Sequence, residues 1–398
     1  MTPSPVAIAA YRRKYERELF ERVIPFWLQY SLDRERGGYF NCLDRDGSLY
    51  DTTKHVWLQG RQAWLFAKLY RTVESKPEWL AAARLGVDFL QHFAIRPDRR
   101  AYFSLTEDGK PIQLQRKIFS ECFYTMALAE FSRASDRPDL LAAARDELAT
   151  LWDWAYDWSY VGRPVLAGQH PAQSLAVPMI LLNLIEEIAP DDASEYAVEV
   201  EDCIRRILLH VNSDEQLVYE TVAPDGSQIA SPQGRLLNPG HAIEAGWFLQ
   251  HWAQRLQRED LSADAIAIVR WSFARGWDDE YGGIFYFLDA EGYSPTPLEW
   301  SMKLWWVQCE ALYAHLLNFS LTGDRDDWDA FERVDAYCFE HFSDPKFGEW
   351  FGYCDRQGNV THRFKGGPYK GCFHVPRALL LCWRLLQALE TPNTQSVA

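Results

Sequence analysis

Two histidines in this chain sit in the same local setting. His241 follows the loop Leu237-Asn238-Pro239-Gly240 and precedes Glu244 by three residues, and His374 follows Lys370-Gly371-Cys372-Phe373 and precedes Arg377 by three. Each imidazole therefore stands where a glycine-bearing loop runs into an apolar helix. Pro376 fits the first turn of the second helix, where a missing N–H costs nothing. A histidine at a helix start faces the positive end of the macrodipole, which disfavours imidazolium and keeps the ring neutral, as a base requires at neutral pH. One such histidine could simply cap a helix. Two of them, on units separated by one intervening repeat, can approach a bound molecule from different sides, remove a proton from one face of a carbon and return one to the other.

A charged residue recurs at the same early position of five apolar helices: Arg61 in RQAW, Glu121 in ECFY, Glu244 in EAGW, Glu310 in EALY and Arg377 in RALL. Charges entering an apolar interior are costly unless paired or used, so these positions are expected to form a ring at one mouth of the molecule. The i, i+3 spacing lets Glu244 reach His241 and orient it. Other readings use the same residues. Arg61 and Arg377 would neutralise Glu121, Glu244 and Glu310 in a buried structural network, or two of the three glutamates would serve as the carboxylate pair of an inverting glycosidase. A toroid that binds carbohydrate or protein without chemistry is a third possibility. Imidazole with carboxylates also suits several ions, yet there is no HExxH and no clustered His/Asp spacing, so no metal is expected. Neither GxGxxG nor a P-loop lysine pattern occurs. Trp57, Trp305, Trp306 and Trp350 have faces that could stack on sugar C–H groups, and the other eight histidines, His55, His170, His251 and His315 among them, read as structural or surface residues.

The elements that must position these groups repeat. Turn glycines at 47, 109, 226, 292 and 358 lie between aromatic-rich strand-like runs, with one hairpin missing or degenerate near Tyr160 to Gly168. Apolar helices follow at about Lys54 to Arg71, Lys117 to Ala134, Ala172 to Ile188, Pro239 to Gln257, Lys303 to Leu321 and Pro376 to Leu389, apolar around nearly the whole circumference and hence interior. Pro178 places the true start of the third near Ala176. More amphipathic stretches alternate with them, at about Ala7 to Leu32, Pro77 to Phe93, Pro138 to Tyr156, Ala193 to Val211, Ser262 to Arg275 and Asp326 to Phe342. A repeat of this kind buries its apolar face only against its neighbours, which implies a closed ring: an all-α (α/α)6 barrel of six inner and six outer helices with short β-hairpins in the connections. No linker or low-complexity segment interrupts residues 1–398, so a single catalytic domain is expected.

Bulk properties narrow the partners. A net charge of −15 leaves no basic excess to release counterions from nucleic acid or to hold an anionic membrane. A neutral small molecule is the expected ligand. The start of the chain lacks the pattern of a signal peptide and no window approaches a membrane span. The 8 cysteines are scattered with no CxxC pair, which fits reduced thiols in a cytoplasmic protein.

Several segments resemble the N-acylglucosamine 2-epimerase family, within the wider group of cellobiose 2-epimerases and aldose-ketose isomerases. They are KHVWLQGRQAW (54–64), IFSECFYTMAL (118–128), LAVPMILLNL (175–184), LLNPGHAIEAGWF (236–248), MKLWW (302–306), EWFGYCDR (349–356) and the stretch Phe364 to Leu379. The resemblance implies interconversion of N-acetyl-D-glucosamine and N-acetyl-D-mannosamine. Another sugar 2-epimerisation and an aldose-ketose isomerisation are the neighbouring activities. It carries the catalytic set onto Arg61, His241, Glu310 and His374, with Glu244 in the pocket; Glu121, Trp306 and Arg377 are expected beside them as substrate-binding residues. It also implies ATP as an activator that is not consumed, with Gly162-Arg163-Pro164 resembling a segment proposed for it, and a homodimer. In this reading one histidine removes the C2 hydrogen of the open-chain sugar, the other protonates the opposite face, Arg61 meets the developing enolate oxygen, and Glu310 positions a hydroxyl or assists ring opening.

Overall fold

The computed structural model describes residues 3–390 apart from 158, 163 and 165; the expected degenerate hairpin and the Gly162-Arg163-Pro164 segment fall partly on those omitted positions. The helices run in chain order as α1 (Pro5–Arg17), α2 (Ile24–Tyr30), α3 (Val56–Thr72), α4 (Pro77–Phe93), α5 (Phe119–Ser135), α6 (Pro138–Tyr156), α7 (Ala176–Ile188), α8 (Ala197–Leu208), α9 (Pro239–Leu256), α10 (Glu259–Gly276), α11 (Trp305–Thr322), α12 (Arg325–His341) and α13 (His374–Glu390). α3, α5, α7, α9, α11 and α13 form the inner ring. α4, α6, α8, α10 and α12 form the outer layer together with α1 and α2, which act as one rod joined through a π-helical turn at Glu18–Val23. Pro25 accounts for that turn: it cannot donate to the carbonyl four residues back, and the ladder opens to a wider spacing just before it, Ile24 N–H bonding Leu19 O.

The inner helices are buried around most of their circumference, as their composition requires; α11 is buried at every position from Trp305 to Phe319. α7 begins at Ala176 with Pro178 in its first turn. Where Lys54 and Lys303 were expected to open helices, they form two-residue strands instead. Lys54–His55 pairs antiparallel with Ser104–Leu105, and Lys303–Leu304 with Tyr353–Cys354. Gln173–Ser174 pairs with Thr221–Val222 and Leu236–Leu237 with Leu288–Asp289 in the same way. Each of these inner helices is thus preceded by a short strand laid against the following hairpin, which stitches neighbouring repeats at one end of the barrel. The circuit closes where Lys365 and Gly366 donate backbone hydrogen bonds to Leu43 O. The turn glycines adopt the left-handed conformation; at Gly47 (φ 87°) any Cβ would also sit 2.3 Å from the Tyr30 ring.

One buried ion pair recurs at this end. Lys54 Nζ lies 2.7 Å from Asp33, Lys303 Nζ 3.1 Å from Asp278 and Lys365 Nζ 3.0 Å from Asp344, and each ammonium also donates to a nearby backbone carbonyl, Gly37 O, Gly283 O and Glu349 O in turn. Lys370 is buried too, on Glu349 Oε1 at 2.7 Å and Lys365 O at 2.9 Å. Lys365 and Lys370 therefore brace the loop before α13. The ring itself is closed by α1 and the π-helical turn after it, through ion pairs of Arg12 with Glu390 and Lys14 with Asp335 and a hydrogen bond from Trp350 Nε1 to Glu18. All eight cysteines are free and buried.

Candidate active site

Four of the five predicted ring positions converge at the hairpin end of the barrel. Arg377, on α13, donates from Nη2 to Glu244 Oε1 of α9 at 2.5 Å and to Glu310 Oε1 of α11 at 2.7 Å. The same Glu310 oxygen lies 2.7 Å from His374 Nδ1, and its other oxygen accepts from Trp247 Nε1 at 2.9 Å. Glu310 thus has both oxygens engaged within the protein. It fixes the His374 ring through Oε1, while Oε2 accepts from Trp247 Nε1 alone and keeps further acceptor capacity. Glu244, Glu310 and His374 could in principle ligate an ion, but the guanidinium of Arg377 already supplies the positive charge these carboxylates share.

Glu121 departs from the expected ring. Its Oε1 accepts from Arg100 Nε at 2.7 Å and from Ala101 N at 2.9 Å. Gln59 and Gln308 do the equivalent for Tyr39 N and Ile284 N, at 2.7 and 3.0 Å. All three latch the strand that leaves the preceding outer helix, so Glu121 corresponds to Gln59 and Gln308. Charge alone would place Glu121 two residues away from this register. The residue of α5 that corresponds to Arg61 and Glu310 is Phe123, and two residues is 200° around a helix, which turns Glu121 away from the cluster.

Arg61 has no hydrogen bond or ion pair among the described residues, and its Nε is buried without a partner. Its guanidinium lies over the rings of Phe123 at 4.1 Å, Trp57 at 4.9 Å and Phe373 at 4.9 Å. Burial, opposed by the charge of Glu244, pulls its pKa down to about 9, so it remains a cation at neutral pH. A desolvated cation held by aromatic faces, with its donors unspent, is prepared to receive an anionic or developing-anionic oxygen.

His241 is held differently from the expectation. Its Nδ1 meets Glu220 Oε2 at 2.9 Å, while Glu244 is turned to Arg377. Asn238 caps α9 by accepting from His241 N at 3.2 Å. Gly240 is required beside it, because a Cβ there would stand 2.6 Å from the Trp306 indole. That indole lies 5.3 Å from the His241 ring and 5.9 Å from the His374 ring, centroid to centroid, and so forms a common floor for the two bases. Both imidazoles are tied at Nδ1 to a carboxylate of another element, and both have Nε2 left over for exchange. Their charge preferences are opposite. Burial, then the charges of Arg61 and Arg377, hold the His374 pKa well below the ordinary histidine value. Burial also works against charge on His241, but Glu220 in contact and Glu244 nearby outweigh it and lift its pKa.

The remaining tryptophans divide. Trp57 is half-buried at the mouth, donating to Pro368 O, whereas Trp350 is fully buried in the core and offers no face to a ligand. His251 and His315 are paired with Glu186 and Asp327. Glu220 went unrecognised in the sequence because it sits in a hairpin, 21 residues from its partner, with no helical spacing to expose the relationship.

Residues 38–378 match the family model described as N-acylglucosamine 2-epimerase (GlcNAc 2-epimerase). The chain is 46% identical to the N-acylglucosamine 2-epimerase of Bos taurus over 393 residues, covering 96% of this chain and 92% of that protein. It is 45% identical to the Homo sapiens enzyme of the same name over 391 residues, covering 96% and 91%. Among solved structures, the cellobiose 2-epimerase of Bacillus thermoamylovorans superposes with a TM-score of 0.81 at 20% identity, covering 95% of this chain and 99% of that one, a likeness of fold.

Proposed function

The chain belongs to the N-acylglucosamine 2-epimerase family, and from that premise we propose that it interconverts N-acetyl-D-glucosamine and N-acetyl-D-mannosamine by passing the C2 proton through His241 and His374. The enzyme is a carbohydrate isomerase. The observation that carries the two-base reading is the matched pair of imidazoles over Trp306, each tied at Nδ1 and open at Nε2.

Opening of the sugar ring exposes an aldehyde at C1, which acidifies the hydrogen at C2. His374, neutral at rest, takes that hydrogen through Nε2. The electron pair moves into the C1–C2 bond and negative charge collects on O1, where Arg61 supplies unspent donors in a dry aromatic setting. His241, carrying its proton, delivers it to the opposite face of C2, and the configuration inverts. The reverse reaction exchanges the two roles. Glu310 acts by holding His374, and Glu244 by sharing Arg377. Residues 1–398 work as one catalytic unit in this reading. The family resemblance adds two finer points to it, a homodimer and ATP as an activator outside the proton transfer, and the unpaired cysteines add a third, a cytoplasmic location.

The test is incubation with N-acetylglucosamine in deuterated water, with and without ATP, followed by NMR of both epimers. Product formed with deuterium at C2 is expected. Product that keeps its original C2 hydrogen would sink the two-base scheme, and a ketose product would reassign the activity to aldose-ketose isomerisation.

A further inference from the structure

Glu220 lies between the strands Leu217–Val218 and Thr221–Val222. Its backbone is locked on both sides: its N–H donates to Leu236 O, and its carbonyl accepts from Leu175 N, both at 3.0 Å. The carboxylate thus projects from a fixed point, with Oε2 at 2.9 Å from His241 Nδ1 and Oε1 at 3.4 Å from Ser174 Oγ. The charged and titratable groups bearing on His241 are Glu220, Glu244 and Lys117; those bearing on His374 are Glu310 in contact and Arg61, Arg377, Glu244 and His241. His241 faces two carboxylates and one exposed ammonium. His374 faces two carboxylates that are already committed to Arg377, and a second guanidinium besides.

We propose that Glu220 is a positioning residue that keeps the shared catalytic proton on His241 between turnovers, so that the free enzyme rests with His241 as imidazolium and His374 as imidazole. This rests on the two-histidine reading given above. One turnover moves the C2 proton onto His374 Nε2 and the His241 proton onto C2. The enzyme's proton count is unchanged, but the proton sits on the wrong ring for another turnover in that direction. Glu220 supplies the preference that returns it.

Two measurements test this. In Glu220→Gln, kcat is expected to fall roughly 10–100-fold, by analogy with the loss of a carboxylate that orients a metal-bound imidazole, with KM little changed. The basic limb of the kcat/KM profile should move toward lower pH by about one unit, because an adjacent opposite charge that favoured the imidazolium is gone; Glu220→Asp should restore part of that limb. A wild-type pH profile in Glu220→Gln, a loss confined to KM, or an aspartate variant no better than the glutamine one would overturn the assignment. The second measurement is a ¹⁵N-histidine NMR titration of the wild-type protein, with resonances assigned by H241N and H374N, and it does not depend on the variant folding. His241 should keep its proton to higher pH than His374, and the reverse order would overturn the proposal. Full turnover by H241N would instead remove the two-base reading itself. A dead H241N beside an unaltered E220Q profile would remove only Glu220.

Discussion

Arg377 follows His374 by one helical turn and brings Nη2 to 3.4 Å from His374 Nδ1. A base is thus held against a permanent positive charge, and Glu310 lies between the two as their common acceptor. The arrangement tolerates a neutral imidazole far better than a protonated one.

That preference has a sign that can be measured. The folded-state pKa of His374 is depressed below its unfolded value of about 6.5. Below that pH the unfolded chain binds the extra proton and the folded one resists it, so this residue makes stability fall as the solution is acidified. His241, with its pKa raised, works the other way: its contribution is full below the unfolded value and is lost as pH rises through the folded one. Urea unfolding of H374N between pH 7 and pH 5 should therefore show a flatter dependence than the wild type. An equally steep curve would contradict the depressed value.

Arg377 and Arg61 should behave oppositely when their charge is removed. Arg377→Met leaves Glu244 and Glu310 buried without their cation, a loss of about 3–5 kcal/mol for breaking a buried pair, visible as a lower urea midpoint. Arg61 has no ion pair to lose. Arg61→Met should hold or raise the midpoint while kcat drops by roughly 10²–10³-fold, the usual effect of removing an oxyanion donor. A strongly destabilised Arg61→Met would mean that the guanidinium is structural.

H241N and H374N should each lose turnover by about 10²–10⁴-fold, the range for a general acid or base. Each should still wash deuterium into C2 of one epimer, and the two variants should label opposite epimers. NMR of the recovered substrates reads this directly; both variants labelling the same epimer would place the two histidines on one face.

Lys370→Met tests the loop before α13. Glu349 would lose its buried ammonium, with destabilisation of about 3–5 kcal/mol, while KM per folded molecule stays near the wild-type value. A large rise in KM with unchanged stability would put Lys370 on the substrate.

The architecture was legible because it is local and repeated: turn glycines, continuous apolar helices and the Pro178 start all follow from short-range preferences. The histidines at 241 and 374 were legible for the same reason, since a loop, a helix start and an i, i+3 charge can be read from a few adjacent letters. Across helices the pairing of Arg377 with Glu244 and Glu310 follows the expected charged ring, whereas the partners of Glu121 and His241 do not. Glu121 looked equivalent to Arg61 because both are charged near a helix start, whereas the latch shared with Gln59 and Gln308 fixes the register by the strand it holds. Glu244 could reach His241 along its own helix, but a guanidinium from α13 attracts it more strongly, and Glu220 from a hairpin takes its place.

The contacts that close the ring, the pairs Arg12–Glu390 and Lys14–Asp335 among them, make the protein a strip whose last join is not covalent. Under tension applied near residues 12 and 390, that join is the first to part, and the two flanking rods would peel away while the other inner helices still hold one another. Tying those two points together and opening the strip in an outer loop would keep every neighbour in place. A circular permutant of that kind should retain the barrel and move the mechanically weak point to wherever the new cut is made.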